Sequence, residues 1–215
     1  MNTMNRVRTL AVAVAVALAF GAGATQAGVI NGGFETGDLT GWSTSLAAGS
    51  AAVVTSNTTS YEASATYLPA VGSYFLAMQT GAASFWQTSY QAVALAAGET
   101  LSGFAAFDWG DYMPYADGVK VEILNSGGGV VATPFYMDGS LVGSSGYNGP
   151  WTSWSWTAAS AGTYTLAYAA RNTLDGGGPN QTYGYFDATT VPEPGTLAFL
   201  GFGLAGLGFL RRRKA

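Results

Sequence analysis

Between residues 28 and 190, apolar and polar positions alternate in short runs with a period of two. Val119, Val121 and Ile123 are separated by Lys120 and Glu122, and Tyr164, Leu166 and Tyr168 by Thr165 and Ala167. Neighbouring side chains of an extended backbone point to opposite sides, so each run predicts a half-buried antiparallel strand. Runs of β-branched and aromatic residues predict further strands over 51–56, 73–79, 85–93, 101–109, 130–135, 152–158 and 183–188. Gly81, Gly98, Asp117-Gly118, Gly127-Gly128-Gly129, Asp138-Gly139, Gly162 and Asp175-Gly176 fall between these runs and supply tight bends. No stretch of this region long enough for three helical turns carries apolar residues at helical spacing. The expectation is one all-β domain, residues 28–190, built as a two-sheet antiparallel sandwich and most economically a jelly roll. A propeller is disfavoured, because no repeat of 20–50 residues is visible.

Both ends break the alternation. Residues 1–27 begin with Arg6 and Arg8, continue through an unbroken Ala/Val/Leu/Phe/Gly stretch over 10–24, and end on the small residue Ala27. That order is the layout of a signal peptide, cut by signal peptidase after Ala27, and a helix is expected in it. Residues 191–215 hold three zones: Pro192-Glu193-Pro194, an apolar run over 196–210, and Arg211-Arg212-Arg213-Lys214. As a helix the apolar run is about 22 Å long against about 30 Å of hydrocarbon, a slightly short membrane anchor. Its basic flank belongs on the cytoplasmic side, which leaves the domain on the far side, where the signal peptide also sends it.

The order Pro-Glu-Pro, Gly-rich apolar helix, Arg cluster resembles the PEP-CTERM sorting signal of Gram-negative bacteria. The resemblance implies export across the inner membrane, transient anchoring through the C-terminal transmembrane helix, and cleavage by an exosortase. It also implies a final place at the cell surface or in the extracellular matrix, in the setting of exopolysaccharide and biofilm production. It covers residues 192–214 and bears on destination, not on what the exported domain does.

Setting the two ends aside changes the charge of what remains. Residues 28–190 keep two cations, Lys120 and Arg171, against eleven carboxylates, a formal charge of −9, where the whole chain has −4. Nucleic acid is excluded as a partner, since its binding needs a cationic surface. Divalent cations and sugars stay open.

The start of the exported region, Val29-Ile30-Asn31-Gly32-Gly33-Phe34-Glu35 through Trp42, resembles the first strand of jelly-roll carbohydrate-binding modules. There the Phe and Trp lie in the core, while the Glu, a neighbouring carbonyl and an Asp near the last strand bind a structural Ca²⁺. Carried over, the resemblance implies a Ca²⁺ site at Gly33, Glu35 and Asp187. Hard oxygen ligands without His or Cys suit Ca²⁺. The plainer reading is that Glu35 is a solvated turn carboxylate and Asp187 an edge charge.

Residues 107–118 concentrate aromatic and acidic side chains ahead of the Val119 strand. Aromatic rings stack on the apolar faces of pyranoses at small entropic cost, and carboxylates accept sugar hydroxyls. The expected carbohydrate site is therefore Trp109, Tyr112 and Tyr115 as stacking rings, with Asp111 and Asp117 as acceptors. The alternative is that the rings cap the core and the aspartates serve turns or a second cation site. Trp154 and Trp156 share a strand face and are expected in the core.

The chain contains no His and no Cys. Ser-His and Cys-His nucleophiles are thus absent, as are the usual zinc ligands. A paired-carboxylate glycosidase is the one open enzymatic route, and its carboxylate separation is not legible in sequence. The expectation is no enzyme, but a surface or matrix protein whose domain binds polysaccharide. The alternative is a purely structural matrix or surface protein.

Overall fold

The computed structural model describes residues 28–59, 64–175 and 182–190. The expected signal peptide, the sorting tail and the helices expected in them lie outside the described residues. Among the described residues no helix is long and apolar enough to cross a membrane.

The strands are, in chain order, β1 (Ser43–Ser45), β2 (Ser50–Val54), β3 (Asn57–Thr59), β4 (Ala65–Tyr67), β5 (Phe75–Gln79), β6 (Trp86–Leu95), β7 (Thr100–Tyr112), β8 (Gly118–Leu124), β9 (Val130–Asp138), β10 (Ser145–Asn148), β11 (Thr152–Thr157), β12 (Gly162–Arg171) and β13 (Tyr183–Thr190). One helical turn, α1 (Gly139–Val142), follows β9, with Asp138 as its N-cap accepting from the Ser140 N–H. One sheet has the order β1-β6-β12-β8-β9 and the other β10-β7-β13-β5-β2, with β11 also on β7. All strand pairings are antiparallel. The fold is the two-sheet antiparallel sandwich expected from the alternation.

Between the sheets lies one core. Leu101, Ala105, Phe107 and Trp109 of β7 face Val119, Val121 and Ile123 of β8 and Leu166, Tyr168 and Ala170 of β12. Tyr168 stacks on Phe186 at 4.3 Å between ring centroids and on Trp42 at 4.9 Å. Phe34 is fully buried beside Trp42, 5.3 Å between centroids, so both aromatics of the opening segment lie in the core. The opening segment is nonetheless not a strand. Residues 30–34 form turns, with Asn31 and Phe34 at φ 49° and 56°. Trp154 is buried as expected, whereas Trp156 is half-buried at the margin against Tyr164.

The strand that sequence ends at 109 runs on to Tyr112, and the expected 130–135 strand continues to Asp138. β7 can be this long because it has two partners on one edge. β11 pairs with its first half, Thr152 opposite Ala105, and β10 with its second, Asn148 opposite Asp108.

The two outer faces differ. That of the β7 sheet is covered by the β3–β4 hairpin. Tyr67 packs on Tyr185, 4.2 Å between centroids, in a second small core with Phe75, Ala77 and Ala106. Asp108 is sealed beneath this hairpin, accepting the Thr59 and Tyr185 hydroxyls on Oδ2 at 2.9 Å each. Burial pushes its carboxyl up to about 6, against the lowering effect of those two hydroxyls. The outer face of the β6–β12–β8–β9 sheet presents Tyr90 and Tyr136 to solvent.

Candidate functional site

Three arrangements of functional side chains result. The first is the 107–118 segment, where the structure corrects the expected carbohydrate site. Trp109 is 0% exposed, its ring lying against Gly139 and its Nε1–H donating to the Tyr115 carbonyl at 3.0 Å. It continues the inward parity of Leu101, Ala105 and Phe107 and offers no face to a sugar. Tyr112 is 41% exposed and Tyr115 half-buried, but their rings meet edge-on at 89° and form no flat platform. Asp111 and Asp117 are buried, so neither is the solvent-facing acceptor expected of it. Carboxylate oxygens of Asp111, Asp117 and Asp175 instead lie within 4.8 Å of one another. Asp117 Oδ1 accepts the Thr173 N–H at 2.7 Å, and the Thr173 hydroxyl donates to the Ala116 carbonyl, which ties this loop to the end of β12. Burial pushes the Asp117 carboxyl up to about 7. The Thr182 hydroxyl and Thr173 N–H oppose that rise, and the charges of Asp111 and Asp175 add to it.

The second is the meeting of the first turn of the domain with its last strand. Thr189 of β13 donates its N–H to the Gly32 carbonyl, an approach so close that a Cβ on Gly32 would fall 2.0 Å from the Thr189 oxygen. This contact brings together Gly33, Glu35 and Asp187. A Cβ on Gly33 would stand 3.7 Å from Glu35 Cγ and 4.0 Å from Asp187 Oδ1. Glu35 accepts the N–H groups of Ser73 and Tyr74, and Asp187 those of Val71 and Ala188. Gly72, at φ +75° with Glu35 Oε1 2.2 Å from where a Cβ would be, allows the 71–74 loop to close over the pair. Asp187 is buried rather than an edge charge. Burial pushes its carboxyl up to about 6, the N–H groups lower it, and the nearby Glu35 charge raises it further.

The third arrangement was not anticipated from sequence. Register aligns three rows on the outer face of the β6–β12–β8–β9 sheet: Trp86, Arg171, Gly118 and Asp138; Thr88, Ala169, Lys120 and Tyr136; Tyr90, Ala167 and Glu122. Ala167 and Ala169 lie between the rings but are buried beneath the neighbouring side chains, 5% and 2% exposed, whereas Tyr90 is 39% and Tyr136 41% exposed. The Trp86 indole reaches across β12 to Gly118, where its Cη2 would lie 3.3 Å from a Cβ. Lys120 Nζ and Arg171 Cζ stand 4.1 and 4.8 Å from the Trp86 ring centroid. Lys120 also pairs with Glu122 at 2.7 Å. Both cations of residues 28–190 therefore lie on this face. The sequence signal was present as alternation in 86–90, 118–122 and 167–171, but only strand order makes those runs neighbours.

Fold and site together define a class: an all-β sandwich domain with an aromatic, charged sheet face open to solvent, on a chain bearing a sorting signal. Residues 190–214 match the PEP-CTERM protein-sorting motif, which implies processing by an exosortase, export and a surface or extracellular destination. Comparison of the whole sequence with curated proteins found no match. In shape the domain is similar to TmCBM61, solved in complex with β-1,4-galactotriose, at 18% identity and TM-score 0.48 over 75% of this chain and 94% of that one. It is also similar to the CBM22-1 xylan-binding domain from Paenibacillus barcinonensis Xyn10C, at 15% identity and TM-score 0.39 over 79% and 96%. A third similar structure is the K3 adhesin domain of Lys-gingipain from Porphyromonas gingivalis, at 12% identity and TM-score 0.44 over 78% and 100%.

Proposed function

We propose that this is a noncatalytic polysaccharide-binding protein of the cell surface or extracellular matrix of a Gram-negative bacterium. It is anchored briefly in the inner membrane by its tail and released or transferred by an exosortase, and its sandwich is a jelly roll. The observation that carries the binding role is the outer sheet face, where the Tyr90 and Tyr136 rings are exposed and the neighbouring Lys120, Glu122, Arg171 and Asp138 supply hydrogen-bonding groups. Exposed rings offer stacking faces to pyranoses, and mixed donors and acceptors suit hydroxyls. Gly33, Glu35 and Asp187 form the structural Ca²⁺ site of this reading. Its support is two adjoining carboxylates joining the first turn of the domain to its last strand, and their repulsion is what a cation would relieve.

Affinity electrophoresis of the purified full-length protein in gels cast with bacterial and plant polysaccharides tests the binding role. Retardation on at least one polymer is expected. Tyr90→Ala and Tyr136→Ala should each weaken it about tenfold, or about 1.4 kcal/mol, while Tyr112→Ala leaves it unchanged. Free migration on every polymer would leave the purely structural matrix protein as the standing interpretation.

A further inference from the structure

Asp111 is the last residue but one of β7, Asp117 precedes β8, Asp175 follows β12 and Thr182 precedes β13, so four chain segments converge at one end of the sandwich. Three observations there concern oxygen atoms. Carboxylate oxygens of the three aspartates lie within 4.8 Å of one another, inside the span of two Ca–O bonds of about 2.3–2.6 Å. Asp117, 0% exposed, uses Oδ1 for the Thr173 N–H, but its Oδ2 makes no hydrogen bond. Asp175 Oδ1 is likewise buried and unsatisfied, and the Thr182 hydroxyl approaches Asp117 without reaching hydrogen-bond geometry. A buried carboxylate oxygen without a donor is costly, and native structures satisfy such atoms with protein, water or ions. Neither Lys120 nor Arg171 supplies the charge: Lys120 is paired with Glu122, and both cations stand over Trp86.

From this geometry we infer that Asp111, Asp117 and Asp175, with the Thr182 hydroxyl beside them, form a Ca²⁺ site separate from Gly33, Glu35 and Asp187. The donors are all hard oxygen, and their formal charge of −3 favours a divalent cation. Asp117 bridges two functions there, holding the Thr173 backbone through one oxygen and offering the other to the ion. The bound ion fastens the end of β7 and the β7–β8 connection, which carry Tyr112 and Tyr115, to the segments flanking β12 and β13. The negative charge that Asp111 and Asp175 add at Asp117 is the repulsion this ion removes.

The test is Ca²⁺ titration by calorimetry of the full-length protein stripped with chelator, with Tb³⁺ luminescence sensitised by the buried Trp109 as a second readout. Asp117→Asn keeps the acceptor for Thr173 and removes the charge. Asp175→Asn changes a less buried member, so a folding defect in one variant does not block the other. Each should lower affinity at this site at least tenfold and abolish most of the Tb³⁺ signal, with far-UV circular dichroism unchanged. Asp187→Asn, which alters the other site, should leave the Tb³⁺ signal intact. Wild-type affinity and emission in both Asn variants would overturn the assignment, as would the absence of any Ca²⁺ binding at 1 mM in the wild type.

Discussion

Asp108 shows how one side chain links burial to solution behaviour. Its carboxyl is held near 6 in the folded chain and returns to about 3.8 when unfolded. Between those values the folded state binds more protons, so the stability that Asp108 contributes is greatest below pH 4, falls as pH rises towards 6, and changes no further beyond. The full difference is roughly 3 kcal/mol. Urea melts from pH 4 to pH 7 should show this loss, and Asp108→Asn, which keeps an acceptor for Thr59 and Tyr185, should flatten the slope by a similar amount. An unchanged slope in the variant would show that other carboxylates set it. At this scale part of the site was legible. Leu101, Phe107 and Trp109 share parity, so the inward place of Trp109 follows once the strand is known to pass it. That parity lay within the expected 101–109 strand; what nothing local reveals is that β10 extends the pairing to Tyr112. The burial of Asp117 was hidden for a related reason: an Asp-Gly pair reads as an exposed turn, and only the approach of Thr173 encloses it.

Among the elements, the β3–β4 hairpin decides which sheet face is closed. Its strands have three residues each and are mostly polar, too short to stand alone. What fixes it is Tyr67, packed on Tyr185 and donating its hydroxyl to the Gly149 carbonyl at 2.8 Å. Tyr67→Ala should cost about 3–5 kcal/mol, the range for deleting a large buried aromatic. It should also wet Asp108, so the fall in stability between pH 4 and 6 should shrink. Thermal melts of the variant at the two pH values measure both effects, and a full pH slope would show that Asp108 is sealed by other groups. The long strands were predicted to within a few residues because each carries its own alternation. The hairpin, β1 and β10 were not, since their few polar residues extend only where a neighbouring strand or sheet receives them.

For the molecule as a whole, charge is partitioned by segment. Six of the eight cations lie in the terminal segments 1–27 and 191–215, and residues 28–190 are left with −9 and two cations on one face. Replacing Pro192, Glu193 and Pro194 together by Ala should leave the tail uncleaved and the protein in the membrane fraction. Immunoblotting of cell fractions with a tag after Ala215 would report this, and wild-type size and distribution would show that the Pro-Glu-Pro triplet is dispensable.

The sequence by itself determined the sorting signal, the all-β class and the identity of most core residues. A sorting motif is a linear order of zones, and a strand's buried face is written in every second residue. Tertiary structure decided which side chains became neighbours. Trp86, Arg171 and Gly118 align across three strands only through register, and Asp111, Asp117 and Asp175 converge only because the sandwich brings the ends of distant strands to one place. Sequence separation carries no information about such meetings, since they follow from strand order and from the sealing of each sheet against its partner.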